Sequence, residues 1–390
     1  MKINKHCFPN GLRLVHYEDT STQMVALNIV YDVGARDEHP EHTGFAHLFE
    51  HLMFGGSAHI PDYDTPLQLA GGENNAWTNN DITNYYLTVP KPNVETAFWL
   101  ESDRMLELAF SEQSLEVQRG VVMEEFKQRC LNQPYGDVGH LFRPLAFRVH
   151  PYRWPTIGKE LSHIEQATLD EVKSFFYRFY APNNAVLAVT GNISWDETVK
   201  LTEKWFAPIP RRDVPVRQLP QEPEQTQERR LTVERNVPLD ALFMGYHMCS
   251  REGADYYAFD ILSDILSNGR SSRLNRRLVQ EQNIFSGIDA YISGTRDAGL
   301  LQISGKPAAG VSLEQAEAAV RKELEELQRS PVDGQELEKV KNKFESTQIF
   351  GNINYLNVAT NLAWFELTGK AEDIDLEVER YRSVTTEQFR

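Results

Sequence analysis

Apolar and polar positions along this chain change period in a recurring order. Arg13-Leu14-Val15-His16-Tyr17 and Val25-Ala26-Leu27-Asn28-Ile29-Val30-Tyr31 are short, apolar-rich runs of strand type. The segment from Thr43 to Phe54 then places apolar residues three and four apart, as a helix packed on a sheet requires. The same succession returns in the second half. Arg230-Leu231-Thr232-Val233-Glu234 and Ala241-Leu242-Phe243-Met244-Gly245-Tyr246 predict strands, and Asp255 to Leu266 predicts a helix. The two halves read as weak copies of each other. Between them, Ala207 to Arg230 carries Pro208, Pro210, Pro215, Pro220 and Pro223 among Gln, Glu and Arg. Proline at this density forbids helix and central strand and predicts a semi-rigid linker.

Further on, Ser312 with Gln315 makes a capping box ahead of an Ala/Glu/Leu-rich run to Arg329, and another helical run goes from Gln335 to Phe350. Short strands separated by turns, with helices in pairs, predict an α+β fold rather than strict βαβ alternation. The expected architecture is two homologous domains, each an antiparallel sheet with helices packed on one face. Residues 1–210 form the first, 211–229 the linker and 230–390 the second. Thr168-Leu169-Asp170-Glu171-Val172 opens a helix that leads into the strand Ala185-Val186-Leu187-Ala188-Val189. Thr385-Thr386-Glu387-Gln388-Phe389 looks like the same helix start, so the second sheet is expected to lack one closing strand, through truncation or disorder.

Length and composition narrow the classes. A chain of 390 residues suits two domains of similar size, and 41% hydrophobic with 25% charged residues is ordinary for a soluble enzyme. No run reaches the ~18 apolar residues that span a bilayer, so no membrane partner is expected. Met1-Lys2-Ile3-Asn4-Lys5-His6 has no apolar signal-peptide core behind it. A cytoplasmic location is expected, or a periplasmic one if a leader was removed. The net charge of −16 argues against a nucleic-acid partner. Cys7, Cys130 and Cys249 fit neither a zinc-finger spacing nor a disulfide framework and read as free thiols.

Candidate chemistry sits in the first helix. His47 and His51 are four residues apart, which on a helix stacks both imidazoles on one face. Two such nitrogens can reach one tetrahedral Zn²⁺, one ion per chain. Glu50, beside the same face, is placed to take a proton from a water held by that metal. Opposite His47-Leu48-Phe49-Glu50-His51, the second half carries Asp260-Ile261-Leu262-Ser263-Asp264. The apolar frame is kept and the ligand types are not, so the chemistry is expected in the first domain only.

H-x-x-E-H is the inverse of the better known H-E-x-x-H. With its surroundings, Gly44-Phe45-Ala46-His47-Leu48-Phe49-Glu50-His51-Leu52-Met53-Phe54-Gly55-Gly56, it resembles the pitrilysin, or inverzincin, family of zinc metallopeptidases. Matches run over nearly the whole chain and include Gly71-Gly72-Glu73-Asn74-Asn75-Ala76-Trp77-Thr78, His150-Pro151-Tyr152, Tyr180-Ala181-Pro182-Asn183-Asn184-Ala185 and Asn268-Gly269-Arg270-Ser271-Ser272-Arg273-Leu274. A catalytic zinc takes three protein ligands. On a helix Glu124 and Glu125 point about 100° apart, so only one of them can serve. The resemblance assigns Glu125. Where the family commonly has a further glutamate, two turns earlier, this chain has Gln118. The resemblance also implies that Asn75, Ala76 and Trp77 lie on an edge strand that binds peptide substrate by strand addition. His39, His42 and His59 read as turn or surface residues, and His150 as structural.

Family members that act alone bring an Arg and a Tyr, seven apart, from the second domain to the substrate carbonyl. Those positions fall here on Val279 and Ser286, with Arg277 and Phe285 out of register. The expectation is therefore a zinc-dependent endopeptidase subunit that needs a homologous partner chain, as a heterodimer or other dimer, to supply the Arg/Tyr pair. The alternative is a non-catalytic, peptide-binding or scaffold subunit of a heteromeric complex. A zinc-storage protein would have no need of Glu50.

Overall fold

The computed structural model describes residues 1–330 and 332–389. It divides into two compact units, Met1–Arg229 with Gly351–Asp375, and Arg230–Phe350 with the residues from Leu376 onward.

The first unit opens with β1 (Asn4–Cys7), β2 (Arg13–Glu18) and β3 (Met24–Tyr31), then α1 (Phe45–Leu52) and α2 (Asp64–Leu69). The hairpin β4 (Glu73–Thr78) and β5 (Thr83–Pro90) is followed by α3 (Val94–Leu106), α4 (Glu112–Phe126), α5 (Val138–Ala146), α6 (Leu161–Glu165) and α7 (Leu169–Phe179). β6 (Ala185–Gly191) and α8 (Trp195–Trp205) close it. Among the described residues the six strands lie in the order β1-β2-β6-β3-β5-β4. All neighbours are antiparallel except β2 and β6, which run parallel. One face carries Leu14, Leu27, Ile29, Leu187 and Val189, packed with Leu48 and Phe49 of α1 and Phe176 of α7. Burying each such side chain stabilises the fold by about 1.5–3 kcal/mol.

The second unit contains β7 (Leu242–Met248), α9 (Tyr256–Ser267), β8 (Phe285–Ile292), β9 (Gly299–Pro307), α10 (Leu313–Arg329) and most of α11 (Gly334–Gly351). Its sheet has the order β7-β9-β8 among the described residues. That repeats β3-β5-β4 of the first sheet, hairpin included, and supplies the structural basis for the internal likeness.

Four expectations need correction. First, helices do not keep to one face of the first sheet. α12 (Tyr355–Thr368) lays Val358, Ala359, Leu362 and Ala363 on its other face, against Val15, Ala26, Val30, Val186 and Ala188. The strands of this sheet are apolar on both faces, so both must be covered. Second, residues 351–375, assigned by sequence to the second domain, consequently belong to the first unit, while α13 (Glu377–Ser383) returns to the second. Third, Arg230–Glu234 forms no strand. Its counterpart β2 is held between β1 and β6, and the second sheet offers no such neighbours among the described residues. Fourth, residues 211–229, expected as a semi-rigid linker, are bonded along the first unit. Arg212 bonds to the Tyr180 and Leu106 carbonyls, and Arg217 pairs with Asp32 and Asp37. Glu222 accepts the N–H groups of Arg148, Val149 and His150, and Arg229 bonds to the Leu145 and Ala146 carbonyls. The proline-rich segment is a strap fastened along the first unit.

No helix is long and apolar enough to cross a membrane among the described residues.

Candidate metal centre

The start of α1 is fixed before any ligand is placed. Gly44, just ahead of it, has φ 88°, a left-handed conformation suited to glycine. A Cβ there would also come within 2.6 Å of the Ile164 side chain and 2.9 Å of the Ile157 carbonyl. The first N–H groups of the helix have no partner within it. The buried carboxyl of Glu38 takes two of them, Gly44 N–H at 2.9 Å and Ala46 N–H at 2.9 Å. Burial pushes the Glu38 pKa up to about 8, against the pull of those two N–H groups. The ordinary value is 4.5, so between about pH 4.5 and 8 the folded chain holds a proton that the unfolded chain has released. The contribution of Glu38 to stability therefore falls as pH rises through this window. Urea titrations should show the wild type exceeding Glu38→Gln in stability by more at pH 5 than at pH 8.5; a pH-independent difference would refute this.

α1 packs against α4, and their side chains meet at one point. His47 Nε2 lies 3.4 Å and His51 Nε2 3.3 Å from the same oxygen, Oε2 of Glu125. The imidazoles are edge to face, with centroids 4.9 Å apart. The donor atoms of His47, His51 and Glu125 all lie within 4.8 Å of one another. Glu124, one residue earlier, pairs instead with Lys127 on an exposed face. A tetrahedral ion with bonds of about 2.0–2.1 Å separates its ligands by about 3.3–3.4 Å, which matches both nitrogen–oxygen distances. Burial lowers the His47 pKa to about 4, which keeps the imidazole neutral near pH 7 and its lone pair free to bind a cation. The hydrogen bond with His51 leads the effects that hold the Glu125 pKa below its usual range, so the carboxylate is charged. Two imidazoles and one carboxylate, poised at a common point, fit a zinc ion. His47 Nδ1 is buried and makes no hydrogen bond among the described residues, so packing and the contact of Nε2 with Glu125 orient that ring.

Glu50 lies on the same helix, off this cluster. Burial raises its pKa, while the hydroxyl of Thr78 and the neighbouring His51 and Arg129 pull it down. A base is most effective when its pKa approaches the working pH, and burial moves Glu50 in that direction.

Thr78 ends β4, the last strand of its sheet, which pairs with β5 alone among the described residues. Asn75 lies opposite Tyr86, Ala76 opposite Tyr85 and Trp77 opposite Asn84. The Ala76 N–H is held by the Asn75 side-chain oxygen at 2.8 Å. Trp77 packs its ring on the core cluster that includes α12. What this strand offers outward is thus backbone and Asn75, more than an indole.

Two supporting residues escaped the sequence reading besides Glu38. Thr78 stood in a quoted motif without a role. Arg129 was not singled out, although its i,i+4 spacing from Glu125 was a usable signal. Its guanidinium bonds Glu125 Oε1 at 2.6 Å, leaving Oε2 to the histidines. Gln118 lies beside Gly55, just past α1. Removing an orienting partner of a metal ligand typically costs about 10–100-fold in affinity. Arg129→Ala should weaken zinc binding within that range in a chelator competition, with Arg129→Lys recovering part of the loss; unchanged affinity in the Ala variant would refute the role.

In the second unit, the counterparts of the cluster are committed to structure. Asp260 accepts from Tyr381, and Asp264 pairs with Lys343. Val279 packs on the second core and Ser286 Oγ donates to the Lys306 carbonyl. The out-of-register residues are occupied too, Arg277 by Glu323 and Glu326, Phe285 by the core.

Comparison with known proteins agrees with this picture. Residues 13–137 match the model of the insulinase family, peptidase family M16, and residues 166–344 match that of the peptidase M16 inactive domain. The zinc protease PqqE of Helicobacter pylori is 29% identical over 338 residues, which cover 85% of this chain and 76% of that protein. The uncharacterized zinc protease YmxG of Bacillus subtilis is 25% identical over 88% of this chain and 83% of its own length. A crystal structure of a protease from Helicobacter pylori superposes with a TM-score of 0.94 at 26% identity, covering 100% of this chain and 95% of that one. The chain therefore belongs to peptidase family M16, the insulinase or pitrilysin family.

Proposed function

We propose that this chain is the metal-bearing subunit of a zinc endopeptidase. One observation carries the proposal, the convergence of His47, His51 and Glu125 close to the carboxyl of Glu50, which stays outside their group and is bonded by the Thr78 hydroxyl. When bound by those three side chains, zinc supplies Lewis acidity toward water and the scissile carbonyl. Glu50 accepts a proton from the attacking water and delivers it to the leaving amine. Thr78 and Arg129 hold Glu50 and Glu125 in place for those roles. An extended peptide adds to the open edge of β4 by backbone hydrogen bonds at Asn75, Ala76 and Trp77, which binds peptides with little regard to their side chains.

The Arg/Tyr pair is to come from a homologous partner chain, since Val279 and Ser286 offer no equivalent. A scaffold role finds support in the inactive-domain match, but that match begins at residue 166, beyond all four residues of the centre. The test is the pair Glu50→Gln and His47→Ala, assayed for peptide hydrolysis and for bound zinc.

A further inference from the structure

Away from the metal centre, the strap and the body of the first unit enclose an open pocket of about 420 Å³. That lies in the size range of small-ligand sites, about 300–1,000 Å³. Arg36, Arg153, Arg178 and Arg217 line it together with Asp32, Asp37 and Glu38. Glu38 keeps its proton below about pH 8 and adds no charge, but Asp81 pairs with Arg36, so four arginines against Asp32, Asp37 and Asp81 leave one net positive charge, in a chain whose net charge is −16.

The four arginines are not equivalent. Arg217 is spent on Asp32 and Asp37, and Arg36 on Asp32 and Asp81. Arg153 and Arg178 face no carboxylate among the described residues. Each lies over the ring of the next residue, Arg153 5.5 Å from the Trp154 centroid and Arg178 4.9 Å from that of Phe179. Arg153 also donates one bond to the Arg148 carbonyl at 3.0 Å. A guanidinium lying over an aromatic ring keeps N–H groups for an anion, in the fork geometry that a carboxylate matches. Val216 and Leu219 of the strap, with Trp154 and Phe179, give the pocket apolar walls. Val216 is 87% exposed, so its side chain is available to a ligand.

We infer that this pocket binds the carboxylate of a molecule with an apolar tail, its anion held by Arg153 and Arg178 and its tail by the strap. The single net charge selects a monoanion over a phosphate dianion, which Asp32 and Asp37 would repel. Two sources share this chemistry, the C-terminal end of a peptide and a free organic acid. Naming a peptide end as a source rests on the proposed peptidase function; the pocket itself does not.

Calorimetric titration of the zinc-loaded full chain carrying Glu50→Gln tests the proposal without turnover. The probes are N-acetyl-leucyl-leucine, its C-terminal amide, and hexanoate. The peptide acid should bind at least about tenfold more tightly than the amide, the scale of a lost charge-assisted pair. Adding Arg153→Gln and Arg178→Gln should reduce the acid to the level of the amide, with zinc content and thermal unfolding unchanged. Arg178→Lys should retain part of the binding. Hexanoate binding as tightly as the peptide acid would identify free organic acids as the ligands, and weaker binding would identify peptide ends. Equal binding of acid and amide, or full binding by the double variant, would overturn the proposal. Loss of peptidase activity with pocket binding intact would sink only the peptidase assignment, and the converse only the pocket.

Discussion

Glu50→Gln should reduce peptide hydrolysis by roughly 10²–10⁴-fold, the usual cost of removing a general base, while zinc stays bound. Glutamine keeps the shape of glutamate and cannot accept the proton. Glu50 is outside the group of donor atoms formed by His47, His51 and Glu125, so that group survives the exchange intact. His47→Ala should behave differently and lose both activity and metal, because it removes one of three donors. The two variants are distinguished by metal analysis alongside the assay. A Glu50→Gln chain that loses zinc as completely as His47→Ala would show that Glu50 is a ligand and would undo its assignment as base.

The second large effect concerns a partner. Peptide hydrolysis places negative charge on the carbonyl oxygen, and a donor aimed at that charge is typically worth about 3–4 kcal/mol, or some 10²–10³ in rate. Valine at 279 has no donor, and Ser286 directs its hydroxyl to the Lys306 carbonyl. Arg277 cannot be borrowed without stripping Glu323, itself buried, of its charge partner. A homodimer would not help, since both copies carry the same residues. The purified chain should therefore bind zinc yet cleave peptides slowly. Mixing with a homologous chain that lacks H-x-x-E-H but keeps the Arg/Tyr pair should raise kcat/KM by about that factor. Full activity from the single chain, unchanged by any partner, would rule this out.

The parts of the centre that were legible in the sequence are those set by local geometry. The i,i+4 spacing of His47 and His51 is a helical property, and the helix forms as expected. Spacing could not choose between Glu124 and Glu125, because that depends on how α4 lies against α1. Resemblance chose Glu125, which is the one that meets the histidines. Glu38 was illegible because its partners are backbone N–H groups, which carry no side-chain signature. The return of α12 to the first sheet was hidden for a related reason. Its apolar residues say that it is buried, not against which sheet. Arg230–Glu234 shows the converse error, a strand-like pattern without a neighbour to pair with. The proline-rich segment was read correctly as non-helical, but its fastening depends on Arg212, Arg217, Glu222 and Arg229, which look in sequence like any solvated charges.

The most direct test of the metal centre is zinc stoichiometry, measured by metal analysis after dialysis against a weak chelator. The wild type and Glu50→Gln should retain one zinc per chain, and His47→Ala, His51→Ala and Glu125→Ala should each retain almost none. Stoichiometric zinc that survives in any of the three ligand variants would contradict the assignment.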